Sequence, residues 1–252
     1  MNKHRKLPRS VARQAGFTLI ELMIAMGIGL IIMLGMTFTF VNLKNTFQSQ
    51  DRLSQLQDNE RLALSMLTTS LNEAGFHPDP KNPAQIAASG PPTTTPGGAM
   101  AIGTYIFGTA DGNTATTPES VSTQYAVASG TDITSCLGTT NAGASTVTVR
   151  NIFYVDPTKN SLMCKVMVNG ATTDAMAHSG TAEELISGVK KMTVYYGIAP
   201  SGTQITTYKA SGSVTAAEWA GSVKAVRVQL DFVNPFDSTA TISRTHTINL
   251  MN

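Results

Sequence analysis

Tryptophan occurs once and cysteine twice in the 252 residues, aromatic side chains make up 6% and charged ones 13%. Two cysteines, Cys136 and Cys164, with no CxxC pair and no histidine at a ligand spacing, exclude zinc ribbons and dithiol redox motifs. GxSxG, HExxH, P-loop and glycine-rich dinucleotide signatures are missing too. The four histidines (His4, His77, His178, His246) are scattered, and the one adjacent carboxylate pair, Glu183-Glu184, has no partner set and reads as solvated. Together these absences argue against an enzyme and leave no expected catalytic residue, metal ligand or cofactor.

Acidic residues are missing from one region only. Five of the 18 basic residues (Lys3, Arg5, Lys6, Arg9, Arg13) precede Phe17, whereas all 16 acidic ones follow it. The rest of the chain therefore has 13 basic against 16 acidic residues, a net of −3, although the whole is +2. The basic character belongs to a short leader, and nothing global points to nucleic acid.

Charge is missing again from residues 22–41, a run of 20 that as a helix spans about 30 Å, the thickness of a bilayer's hydrocarbon. A secretory signal has its apolar run before the cut; here the run follows Gly16, so cleavage there would leave it on the mature protein. The basic leader would stay on the cytoplasmic side, which places the remainder outside. Glu21 stands alone at the inner end of the run. An ionised carboxylate in lipid costs a few kcal/mol and needs a partner, which the new α-amine of Phe17, on this chain or a neighbour, could supply. The other reading is that Glu21 reaches the headgroups. Ala25, Gly27, Gly29 and Gly35 give the helix small faces for close helix packing.

Beyond Lys44 the period changes. Leu53, Leu56, Glu60, Ala63, Leu64, Leu67 and Leu71 recur at three- and four-residue spacing, an amphipathic continuation that should stop near Gly75, with Pro78 and Pro80 beyond. Residues 78–118 are rich in Pro, Gly, Ala and Thr and read as a long loop with one short strand near 100–107. Strands are then expected at 123–128, 146–155, 162–168, 184–197, 204–208, 223–233 and 239–250. The second and third form a hairpin across Asp156-Pro157-Thr158-Lys159-Asn160. A short helix at 214–220 has Ser213 as its expected N-cap. The fold class is α+β, with the amphipathic half of the long helix covering an antiparallel sheet. An exported head favours a Cys136–Cys164 disulfide over two buried thiols.

Gly16-Phe17-Thr18-Leu19-Ile20-Glu21 resembles the type III signal of type IV pilins and of type II secretion pseudopilins. Leu71-Asn72-Glu73-Ala74-Gly75-Phe76, the stretch 189–197, and Trp219 followed by 223–230 resemble the landmarks of PilW-type minor pilins, a layout shared by J-type pseudopilins. The resemblance implies a pilin-like fold and a cut after Gly16 by a prepilin peptidase that also methylates Phe17. It implies that Glu21 neutralises the terminal amine of an adjacent subunit. Other minor and major pilins, the inner-membrane assembly platform and a tip adhesin are the implied partners, with the inner membrane and then the pilus as location. The expected organisation is a leader (1–16), a membrane half (17–43) and an amphipathic half (44–75) of one helix, a loop region (76–120) and a β-rich head (121–252). A secretion pseudopilin is the near alternative. A tethered periplasmic enzyme or binding domain is the distant one.

Overall fold

The computed structural model describes residues 16–78, 100, 103–110, 118–169, 180, 182–200, 202 and 204–250. Most of the expected loop at 78–118, together with His4 and His178, therefore lies outside the described residues. The chain divides into two compact units, residues 1–51 and 52–252.

Helix α1 (Leu19–Asn72, 54 residues) contains no proline and begins in the first unit. There its apolar side chains are all exposed. Thr37 and Thr39, the hydroxyls inside the apolar stretch, each donate back to the carbonyl four residues earlier, on Met33 (2.8 Å) and Gly35 (3.0 Å). That pattern satisfies a polar side chain without water, as a lipid environment demands.

In the second unit, α1 buries Leu56, Glu60, Ala63, Leu67, Ser70 and Leu71, the spacing expected of its amphipathic half. Leu53 stands exposed, so burial starts one turn later than the apolar pattern does. The helix ends as expected: the Gly75 amide leaves the helical ladder and donates to Gln124 O at 2.9 Å. The Ala126 amide donates in turn to Phe76 O.

Two antiparallel sheets replace the single one anticipated. The first has the order β1 (Ile106–Thr109), β2 (Ser120–Val127), β3 (Val147–Asp156), β4 (Ser161–Asn169), β5 (Ala182–Ser187). The second runs β7 (Thr207–Ala210), β6 (Val189–Ile198), β8 (Val223–Asn234), β9 (Asp237–Asn249). The expected strand at 184–197 is in fact β5 and β6, divided at Gly188, whose φ of +80° only glycine adopts without strain. A register shift between Val189 and Lys191 follows, which is why Lys190 and Lys191 are both exposed. The expected β3–β4 hairpin forms, with Asp156 drawn into the ladder opposite Ser161. The short helix α2 (Ala216–Trp219) is capped by Thr215 rather than Ser213. Thr215 and Glu218 complete a reciprocal capping box, an arrangement Ser213 cannot match because its third residue on is Ala216.

The main core joins Leu56, Ala63, Leu67 and Leu71 of α1 to Phe153 and Val155 of β3, Val194 and Tyr196 of β6, and Val226, Val228, Leu230 and Phe232 of β8. A smaller cluster forms around Tyr125, Val127, Val147, Val149 and Val166. Cys136 is disulfide-bonded to Cys164 on β4, at a sequence separation of 28, so the loop before β3 is tied to that strand. Such a closure stabilises by about 3.5 kcal/mol in the chain-entropy account.

Tyr196 is fully buried, lies edge-on to Trp219 (4.6 Å between centroids) and sits directly over Gly108. A Cβ on Gly108 would stand 2.6 Å from Tyr196 Cζ and closer still to its hydroxyl, so one of them must move. Gly108→Ala is expected to cost about 2 kcal/mol or more in denaturant melts. Tyr196→Phe, which removes a buried hydroxyl that has no hydrogen-bond partner, should be neutral or stabilising and should recover part of that loss in the double variant.

Candidate functional site

The residues expected to carry function in the first unit form the amino-terminal lip of α1. Gly16, Phe17 and Thr18 precede the helix in extended or irregular backbone, and Phe17 is 87% exposed. A protease can reach the Gly16–Phe17 bond without unwinding helix. Thr18 begins the helical hydrogen bonding: its carbonyl accepts from the Glu21 amide (3.1 Å) and the Leu22 amide (3.3 Å). Its hydroxyl accepts from the Glu21 amide at 3.4 Å and lies 3.5 Å from Glu21 Oε2. The carboxylate is thus held loosely over the first turn, where the helix dipole favours negative charge. It is exposed, and among the described residues this hydroxyl is the side-chain group beside it.

Beyond this lip, α1 is long and apolar enough to cross a membrane, and none of its most apolar stretch is buried. Gly27, Gly29 and Gly35 each have open space where a Cβ would stand. Nothing among the described residues requires these glycines for room, which leaves the surface they flatten available to another helix.

In the second unit the same helix is gripped by polar contacts that periodicity does not reveal. Glu60, placed in the apolar stripe by its spacing, is buried and accepts an ion-paired hydrogen bond from Arg244 Nε on β9 at 2.8 Å. Asn59 donates to Ser187 O at 3.3 Å. Ser70 receives a hydrogen bond from Asn151 Nδ2 (2.9 Å) on β3 and lies 3.4 Å from the Thr123 hydroxyl on β2. Glu60 could have been singled out as the one carboxylate in a leucine stripe, whereas Asn151 has no such signal.

Glu73, just past α1, is half-buried, and burial raises its carboxyl above the ordinary value of 4.5. The unfolded chain therefore ionises first, so this group's contribution to stability is full below 4.5 and is lost as pH rises through the folded value. Glu73→Gln is expected to be more stable than the parent at neutral pH and to flatten that part of the pH–stability curve, read from melts across pH 4 to about 7. Arg150, fully buried beside the Ser122 hydroxyl (3.0 Å), is lowered by burial to about 10.

Among the described residues no three His, Cys, Asp or Glu side chains gather where a metal ion could bind. His77 and His246 lie apart on different elements, and Glu183 and Glu184 are exposed on β5. Cys136 and Cys164 are the one expected pair that the fold brings together.

Residues 11–37 match the prokaryotic N-terminal methylation motif. Residues 152–251 match a family described as type IV pilus-assembly protein W. No curated protein matches the chain significantly. Both matched families consist of structural assembly components rather than enzymes.

Proposed function

Taking as premise a type IV pilus-related minor pilin of PilW type, which the two matches support, we propose how the chain is processed and used. The precursor is cut after Gly16 by a prepilin peptidase and methylated on Phe17. One pass of the apolar part of α1, through about residue 43, holds it in the inner membrane with its head in the periplasm. It then enters the pilus through that helix, with Glu21 pairing the terminal amine of an adjacent subunit. Other minor and major pilins, the inner-membrane assembly platform and a tip adhesin are its partners in this reading.

The observation that carries it is a single lone carboxylate, Glu21, on the first turn of an exposed apolar helix, four residues after an accessible Phe17, inside the matched motif. Four residues is about one helical turn, so with the helix continued back to Phe17 the amine and the carboxylate fall on one side, about 6 Å apart along the axis. The match of the head favours the pilus over a secretion machine.

The test is the amino terminus of the protein purified from membranes. Sequencing and intact mass should show a chain beginning at methylated Phe17. A terminus anywhere else, or an uncut leader, would end the proposal.

A further inference from the structure

Sheet edges expose unpaired backbone groups, and most edges in this fold are short or closed. β1 and β7 have four residues each and β5 has six. Where β6 runs past β7, the Val194 amide is taken by the Glu119 carboxylate at 2.8 Å. The exception is β9, the outer strand of its sheet, 13 residues long and exposed along nearly its whole length. It contains no proline or lysine, and its only register shift against β8 lies beside the turn, at Val233/Asn234. Of the usual guards of an edge strand, β9 keeps one inward-facing charge, Arg244, which is held by Glu60, and lacks proline, lysine and a mid-strand bulge.

Which backbone groups are open follows from the ladder. The Leu250 amide donates to Lys224 O, so by alternation Ile248, His246, Arg244 and Ile242 address β8, whereas Thr247, Thr245, Ser243 and Thr241 point their N–H and C=O groups outward. The face shared with the core carries Ile242 and Ile248 with Arg244 and His246 between them. Arg244 gives only its Nε to Glu60 and keeps half of its side chain exposed, and His246 is exposed. The one acid of β9, Asp237, is engaged at the turn by Thr239.

We propose that β9 is a docking edge for an extended segment of another protein, which adds as an antiparallel strand. Its apolar side chains lie opposite Ile242 and Ile248, and its carboxylates opposite Arg244 and His246. Charge complementarity selects this occupant over a second copy of the chain. When β9 is paired with itself, the register that sets Ile242 against Ile248 also sets Arg244 against His246. The inference rests on the edge alone and stands apart from the processing of the amino terminus.

The probe is a synthetic peptide, Thr-Val-Thr-Glu-Thr-Glu-Thr-Val-Thr, added to the full-length protein in detergent, with the lysine-for-glutamate peptide as control. The glutamate peptide is expected to bind about tenfold tighter by fluorescence anisotropy. It should slow amide exchange at Thr241, Ser243, Thr245 and Thr247, with little change at the amides facing β8. Thr245→Pro removes an outward amide without touching the β8 ladder and should weaken binding about tenfold or more. His246→Glu, which leaves the backbone unaltered, should reduce or reverse the preference between the two peptides. Absent or equal binding of the two peptides, protection confined to other strands, or indifference to both variants would overturn the proposal. So would a full-length dimer that Thr245→Pro separates, since that outcome would put a second copy on the edge.

Discussion

Replacing Glu21 with alanine is expected to leave the chain cut and membrane-inserted but to lower its incorporation into pili by on the order of a hundredfold. The carboxylate stands exposed on the first turn of a helix whose neighbouring side chains are all apolar, so in the membrane or in a bundle of such helices it needs a positive partner. The amine that cleavage before Phe17 would create is the nearest candidate in sequence. Removing one member of a desolvated pair leaves the other uncompensated, which costs about 3 to 5 kcal/mol. The competing reading, in which Glu21 only reaches toward headgroups, makes the opposite forecast. Alanine would then be silent, or would favour insertion by removing a charge. The measurement is the amount of the subunit in sheared pili relative to the membrane fraction, with Glu21→Asp and Glu21→Gln separating charge from size. Normal incorporation of the alanine variant would remove the pairing role while leaving the cleavage site untouched.

How much of this could be read from the chain depends on which physical signal carries each element. Charge distribution and hydropathy are long-range, redundant signals. They place the leader, the apolar run and the lone Glu21 without any structure, and the two helix periods locate α1 to within a few residues at its end. Strands with one buried face are equally legible, as with Val226, Val228, Leu230 and Phe232 on β8. The split into two sheets was not, because it depends on one glycine, Gly188, whose positive φ turns the chain inside what otherwise reads as one long strand-forming stretch. The N-cap at Thr215 was missed for a related reason. Ser213 and Thr215 are both capping residues, and the choice depends on Glu218 returning to the cap. Polar contacts between distant segments, such as Asn151 with Ser70, leave almost no pattern in sequence because each residue alone is ordinary.

Asn151 shows the same principle with a larger consequence. Its side chain is fully buried and works in both directions: Nδ2 donates to Ser70 on α1 and to the Tyr125 hydroxyl (3.1 Å) on β2, while Oδ1 accepts from the Cys136 amide at 3.2 Å. Tyr125 passes its own proton on to Thr134 O at 2.9 Å, and burial with the nearby Glu73 charge pushes its phenol well above the ordinary range. One amide therefore connects the helix, two strands of the first sheet and the loop that carries the disulfide. Asn151→Ala strands the Cys136 amide, deprives two hydroxyls of a donor and opens a small cavity, for an expected loss of about 3 to 4 kcal/mol. Trp219, the only tryptophan and a member of the main core, reports the melt by fluorescence in the full-length protein. Ser70→Ala should cost less, because its hydroxyl serves only part of the network, and the double variant should cost less than the two losses added. Additive losses would mean that Asn151 holds the Cys136 loop independently of the helix. Reduction of the disulfide separates the two cases further. If Asn151 and the Cys136–Cys164 bond fix the same loop, the cost of Asn151→Ala shrinks once that loop is already loose, whereas a role directed mainly at Ser70 keeps its full cost in the reduced protein.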